Sequence, residues 1–312
     1  MKSILTFLCL LFLSGTINAQ TGSSYLFAYF SADDQASGLK FAYSSDGLKW
    51  ESVANGKSFL IPEIGNQKIM RDPSITQGPD GTFHLVWTCS WADRGIGYTS
   101  SRDLIHWSEQ QYIPVMTDTA TVYCWAPEIF YDKASKSYYI IWSSTVKGKH
   151  NPIPHTPEEA YNNPRLYYTT TKDFNTFTPA QKFYDKGFAV IDGFLLKEKN
   201  RYYLFLKNEN SLPPQKNIRI ATASRIEGPY SEPGEALTNN TYWAEGAACL
   251  KVDDLFYLYY DKYKNSVGYG AKVSKDLINW LDATSDLIVP KDMKHGTPIP
   301  ISENILKSLL KK

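Results

Sequence analysis

The sequence predicts an all-β chain folded as one five-bladed β-propeller, and three observations carry that prediction. A short phrase recurs five times: Ser44-Ser45-Asp46-Gly47-Leu48-Lys49-Trp50, then residues 100–107, 170–177, a degenerate copy at 223–230, and 273–280. Its closing aromatics, Trp50, Trp107, Phe177, Tyr230 and Trp280, return every ~50–70 residues, close to the spacing of propeller blades. Each copy also closes a pair of short runs with the two-residue alternation of strands. No linker divides the chain, so residues 20–312 read as a single domain.

The blades follow in order. Blade one uses residues 25–30 and 39–43. Blade two uses 82–87, behind the turn Gly78-Pro79-Asp80-Gly81, and 96–99. Blade three uses 137–142 and 165–169, blade four 201–206 and 218–222, and blade five 255–260 and 267–271. The aspartate of each phrase is expected to turn the chain toward the outer strand, because Asp bonds readily to backbone amides two and three residues on. The closing aromatic is expected to pack between blades. Residues 145–163, rich in Pro, Asn and His, form the longest insertion and read as a loop over one face, with 208–217 as a second loop. Residues 303–312 read as a helix.

The first 19 residues read as a secretory signal peptide: Lys2, a short apolar run over 4–13, and a small, polar stretch ending at Ala19. That run is too short to span a bilayer, which takes about 20 apolar residues, so an exported protein is expected, in the periplasm or outside the cell, with no membrane attachment after cleavage. Lys+Arg 33 against Asp+Glu 32 gives no basic excess to attract nucleic acid. Beyond Cys9, Cys89, Cys124 and Cys249 are an odd number in apolar contexts and read as buried free thiols. Aromatics make up 14% of the chain, which suits both propeller packing and stacking on sugar rings. A monomer is expected.

The chemistry gathers at the blade starts. Arg71-Asp72-Pro73, Trp125-Ala126-Pro127-Glu128, Ile191-Asp192-Gly193 and Ala244-Glu245-Gly246 each place an acid before an apolar run. In a propeller the first strand of each blade lines the axis, so these acids converge. Crowded carboxylates cannot share one proton affinity; some are pushed up and others held ionised by a nearby cation. That separation is what glycoside hydrolysis uses, with a protonated acid for the leaving oxygen and a carboxylate base for water.

These motifs in this order, together with Asp80-Gly81-Thr82-Phe83 and the ending His295-Gly296-Thr297-Pro298-Ile299-Pro300-Ile301, resemble glycoside hydrolase family 43. The resemblance implies a five-bladed propeller that hydrolyses arabinose- or xylose-containing plant glycans with inversion. It implies Asp72 as base, Asp192 as the residue that orients and tunes the acid, and Glu245 as acid. A complete blade is expected ahead of Asp72, which shifts the blade order around the ring. Glu245 is expected to have a raised pKa, and Asp72 an ordinary or lowered one through Arg71. Arg71, Trp91, Trp125, Glu128 and Arg219 are further candidates for binding substrate, and Glu128 is also the main rival for a catalytic role. His295 is a candidate for holding a water or cation near the axis; no cofactor is required, although a structural Ca²⁺ there is open. Two alternatives stand: the same fold acting on another sugar, such as galactan or fructan, and a glycan-binding propeller without catalysis.

Overall fold

The computed structural model describes residues 24–238 and 241–312; the expected signal peptide lies outside the described residues. Five antiparallel sheets form the blades. Blade one carries β1 (Ser24–Ser31), β2 (Lys40–Ser44) and β3 (Glu51–Ser52). Blade two is β4 (Arg71–Gln77), β5 (Phe83–Thr88), β6 (Ile96–Ser101) and β7 (Gln111–Ile113). Blade three is β8 (Trp125–Asp132), β9 (Ser137–Ser144), β10 (Arg165–Thr171) and β11 (Gln181–Tyr184). Blade four has three strands, β12 (Val190–Glu198), β13 (Arg201–Asn208) and β14 (Asn217–Ala223). Blade five is β15 (Trp243–Val252), β16 (Leu255–Lys264), β17 (Gly268–Ser274) and β18 (Leu281–Asp282).

The last strand, β19 (Met293–Ile301), corrects the expected blade order. It pairs with β1, Phe27 opposite Pro298 and Ser24 opposite Ile301, and becomes the innermost strand of blade one. No complete blade therefore precedes Asp72: the N-terminal segment supplies three strands, and the C-terminal motif supplies the fourth and closes the ring. The inner strands β19, β4, β8, β12 and β15 pack on one another around the axis. Pro73, Pro127, Pro298 and Pro300 all sit on these strands, whose axial edge has no ladder to donate to.

The core is divided. Five hydrophobic clusters each fill the space between two neighbouring blades. The second strand of a blade is covered on both faces, so β1 and β9 are buried at every residue and read as continuous apolar or aromatic runs. The helix α1 (Glu303–Leu309) follows β19 and adds Leu306 and Leu309 to the cluster between blades one and two.

The repeated phrase does what the sequence implied. Ser44 Oγ accepts from the amide of Gly47 at 2.9 Å, and Asp46 Oδ1 accepts from those of Leu48 and Lys49 at 2.8 Å. Ser101 with Asp103, Thr171 with Asp173, and Ser274 with Asp276 repeat the pattern. The residue after the aspartate is left-handed in each: Gly47, Leu104, Phe174 and Leu277. Trp50 then packs edge-on against Phe27 and Tyr259, joining blades one and five.

Candidate active site

A β-bulge interrupts all five inner strands at the same level. On four of them a bulge residue is left-handed: Asp72 (φ 50), Ala126 (φ 46), Asp192 (φ 54) and Gly246 (φ 64). Bulges re-aim side chains, and these turn theirs into an axial cavity of about 260 Å³. Asp adopts this backbone more readily than most residues, but a non-Gly residue there still carries strain, which persists where the surroundings fix it. The fifth bulge holds His295, the extra residue between the Gly296 and Lys294 pairings.

The three expected acids line this cavity together with Arg71, Trp91, Trp125 and His295. Asp72 is buried; Thr88 Oγ1 donates to its Oδ2 at 3.0 Å, and His295 Nδ1 lies 3.2 Å from its Oδ1. Burial opposes its ionisation, but the His295 hydrogen bond and the Arg71 charge prevail and hold it below the usual carboxylate range. His295 is correspondingly pushed up to about 9: burial opposes its charge, and Asp72 outweighs the burial. Asp192 accepts from the Gly246 amide at 2.9 Å, next to Glu245, and burial pushes it up to about 6.

Glu245 departs from expectation. Its Oε2 sits 2.9 Å from Lys207 Nζ. Burial favours the neutral acid, but the Lys207 charge and hydrogen bond outweigh it, so in the ligand-free cavity Glu245 is lowered rather than raised.

Residues 21–306, nearly the whole chain, match the family described as "Probable glycosyl hydrolase domain", related to glycoside hydrolase family 43. The chain belongs to that family. This glycosyl hydrolase domain is also 25% identical over 226 residues to an alpha-L-arabinofuranosidase of Bifidobacterium longum subsp. longum, a match covering 64% of this chain and 21% of that protein. It therefore spans about a fifth of that relative's length. Among solved structures, its fold is similar to xylan beta-1,4-xylosidase from Bacillus halodurans (TM-score 0.55, 16% identity, 75% of this chain and 47% of the other). It is likewise similar to alpha-L-arabinofuranosidase from Lactobacillus brevis (TM-score 0.54, 15% identity, 69% and 72%).

Two of the expected binding residues of this glycosyl hydrolase domain lie elsewhere. Arg219, on β14, points away from the cavity: Asn217, Gly234 and Gln215 take its hydrogen bonds. Glu128 sits off the cavity wall, buried, with Ser74 Oγ donating to it at 2.6 Å. Burial pushes it up to about 8, so it braces the inner strands of blades two and three as a neutral acid. Trp91, 42% exposed, and Trp125 stand edge to face at 5.6 Å on the rim, and the Arg71 guanidinium lies over the Trp91 ring at 4.3 Å.

Of the seven other wall residues, Ile191 lies in the Ile191-Asp192-Gly193 motif, and Glu159, Lys207, Glu209, Lys216, Trp243 and Tyr263 were missed by reasoning from sequence. One signal was available. Lys207 and Glu209 continue the apolar run of β13 with the two-residue spacing that puts both on one face. Glu159 comes from the blade-three insertion, which does arch over this face.

A Ca²⁺ at the axis would take six to eight oxygen ligands. His295 faces a carboxylate as its cationic partner, and among the described residues no group of three or more His, Cys, Asp or Glu is disposed to hold a metal ion. A larger groove, about 630 Å³, lies between blades two and three, but Asp118 is its only acid, so it lacks the paired carboxylates the chemistry needs. Cys89, Cys124 and Cys249 are buried free thiols, as expected.

Proposed function

We propose that this domain is an inverting glycoside hydrolase that releases terminal arabinofuranosyl or xylosyl units from plant glycans. The observation that carries the reading is the convergence of Asp72, Asp192 and Glu245 from three blades on one cavity, each with a different partner: His295 for Asp72, the Gly246 amide for Asp192 and Lys207 for Glu245. Asp72, held ionised by His295 and Arg71, takes a proton from water as its oxygen attacks the anomeric carbon. Glu245, once protonated, gives its proton to the leaving oxygen as the glycosidic bond breaks. Asp192, bonded to the amide beside Glu245, orients that acid. The products are the sugar with inverted anomeric configuration and a free hydroxyl on the remaining glycan. A cavity of about 260 Å³, walled on one side by the blade-three insertion, supports an exo mode in which one sugar enters at a time, with Trp91 and Trp125 under the next unit.

The alpha-L-arabinofuranosidase that is 25% identical over 226 residues supports the arabinose assignment. The test is turnover of aryl α-L-arabinofuranoside, aryl β-D-xyloside and matching oligosaccharides, with proton NMR of the first-formed anomer. Inverted product, lost in Glu245→Gln, is expected. Retained configuration, or undiminished turnover of the oligosaccharides by Glu245→Gln, would sink the mechanism. Inactivity on these sugars with turnover of galactan or fructan oligosaccharides would move the substrate, and binding without turnover of any would leave a glycan-binding propeller.

A further inference from the structure

Glu245 ends a chain of alternating charges. Its Oε2 meets Lys207 Nζ at 2.9 Å; the same Nζ lies 2.7 Å from Glu209 Oε2. Glu209 Oε1 is 2.7 Å from Lys216 Nζ, which is 2.7 Å from Glu159 Oε2. Both lysines are 1% exposed. Burying an ammonium costs several kcal/mol unless carboxylates face it closely, so neither would rest here without its two partners. The ladder crosses three blades: Glu245 is on β15, Lys207 ends β13, Glu209 and Lys216 sit at the two ends of the following loop, and Glu159 belongs to the blade-three insertion. Tyr263 lies under Lys207, its ring centroid 4.6 Å from Nζ, and Trp243 lies 5.4 Å from Lys216 Nζ.

We propose that Lys207 is a positioning residue that holds the Glu245 carboxyl, and that Glu209 and Lys216 tie that hold to Glu159, so the seating of the blade-three insertion tunes the acid. The inference rests on the reading of Glu245 as acid. Each carboxylate in the ladder shares a lysine with the next. Loss of charge at Glu159 leaves Lys216 wholly to Glu209, loosens the grip of Glu209 on Lys207, and turns Lys207 more fully toward Glu245. Loss of Lys207 does the opposite and frees Glu245 to take a proton. The other groups facing Glu245 are Arg71 and Asp72 from β4, Asp192 from β12, Asp261 and Tyr263 from β16, and His295 from β19. All of them stay in place in the variants that follow.

The test is a carbon-13 NMR titration of the glutamate side-chain carboxyls, with the Glu245 resonance assigned by its absence in Glu245→Gln, beside the pH profile of kcat/KM. The Glu245 midpoint and the alkaline limb of the profile should move to higher pH in Lys207→Met and to lower pH in Glu159→Gln. Lys207→Arg should keep both near wild type. If Lys207→Met does not fold, Lys207→Met/Glu209→Gln removes the cation together with the carboxylate charge that faces it and should also move both upward. A merely structural role would not shift the midpoint in opposite directions. An unmoved midpoint in Lys207→Met or in the double variant, or an unmoved or raised one in Glu159→Gln, overturns the inference. The two readings fail separately: undiminished turnover of the oligosaccharides by Glu245→Gln removes the acid assignment, whereas lost turnover with unmoved midpoints removes only the ladder.

Discussion

At the outer turns, Asp46 accepts from amides two and three residues further along the chain. At the axis, Asp192 accepts from Gly246, 54 residues away, and Asp72 faces His295 from the far end of the sequence. Both sets of acids are well bonded, and they behave differently. The turn aspartate is slightly buried, yet its local amides hold it below the ordinary range. Those amides belong to the same turn wherever the rest of the molecule goes. The axial acids take their character from groups that only the closed ring brings near: Asp72 lowered by His295, Asp192 raised by burial, Glu245 lowered by Lys207. Local partners make an acid a structural part. Distant partners make its proton affinity adjustable, as acid–base chemistry requires.

The strongest way to break this contrast is at the acids themselves. Glu245→Gln and Asp72→Asn should each lower kcat by about 10²–10⁴-fold, the worth of a general acid or base; each also takes one carboxylate from a buried cation, Lys207 or His295, so a loss of thermal stability should accompany the loss of rate. The two should also differ. A nitrophenolate leaves with little help, so Glu245→Gln should lose less on nitrophenyl glycosides than on oligosaccharides, whereas Asp72→Asn should lose equally on both. Steady-state kinetics on the two substrate types decides this, and equal losses in both variants would contradict the assigned roles.

Ring closure is the next target. A Cβ added at Gly296 would stand 1.9 Å from the backbone oxygen of Ala28, a clash that no rotamer relieves. Gly296→Ala should cost about 3 kcal/mol, the upper range for overpacking, by forcing β19 from β1. Urea unfolding would register it, and an unchanged midpoint would show that the ring does not depend on this pairing.

A smaller effect sharpens the axial side. Burial pushes Glu128 up to about 8 and Asp192 to about 6, so the native state keeps protons that the unfolded chain gives up near pH 4. The His295 pair contributes stability fully present below 6.5 and lost as pH rises through about 9. All three signs agree: the melting temperature should fall as pH rises from about 5 to 9. Glu128→Gln, neutral throughout and still able to accept from Ser74, should flatten the slope between about 4.5 and 8. A slope as steep as wild type would show that Glu128 ionises freely.

The smallest effect belongs to the rim. Asp46→Ala removes two amide hydrogen bonds at a largely exposed turn and should cost about 1 kcal/mol, or roughly 2–4 °C in melting temperature, without altering kcat. A loss of activity there would blur the distinction between rim and axis.

What the sequence determined by itself is what short-range chemistry determines. The Ser-x-Asp turns, the aromatic second strands and the five-fold count all depend on residues within a few positions of one another, so their spacing alone revealed the blades. The axial acids were legible for a related reason: each opens a blade, and the repeat aligns the blade starts. The tertiary structure decided the rest. It showed that β19 completes blade one, because an edge strand pairs with whichever partner the closed ring presents. It turned Arg219 outward and kept Glu128 off the cavity wall, buried against Ser74. It set Lys207 against Glu245 and so reversed the expected direction of that acid's shift. Charge interactions across the axis depend on distance in space and on the loss of solvent around buried groups, and sequence order specifies neither until the chain has closed.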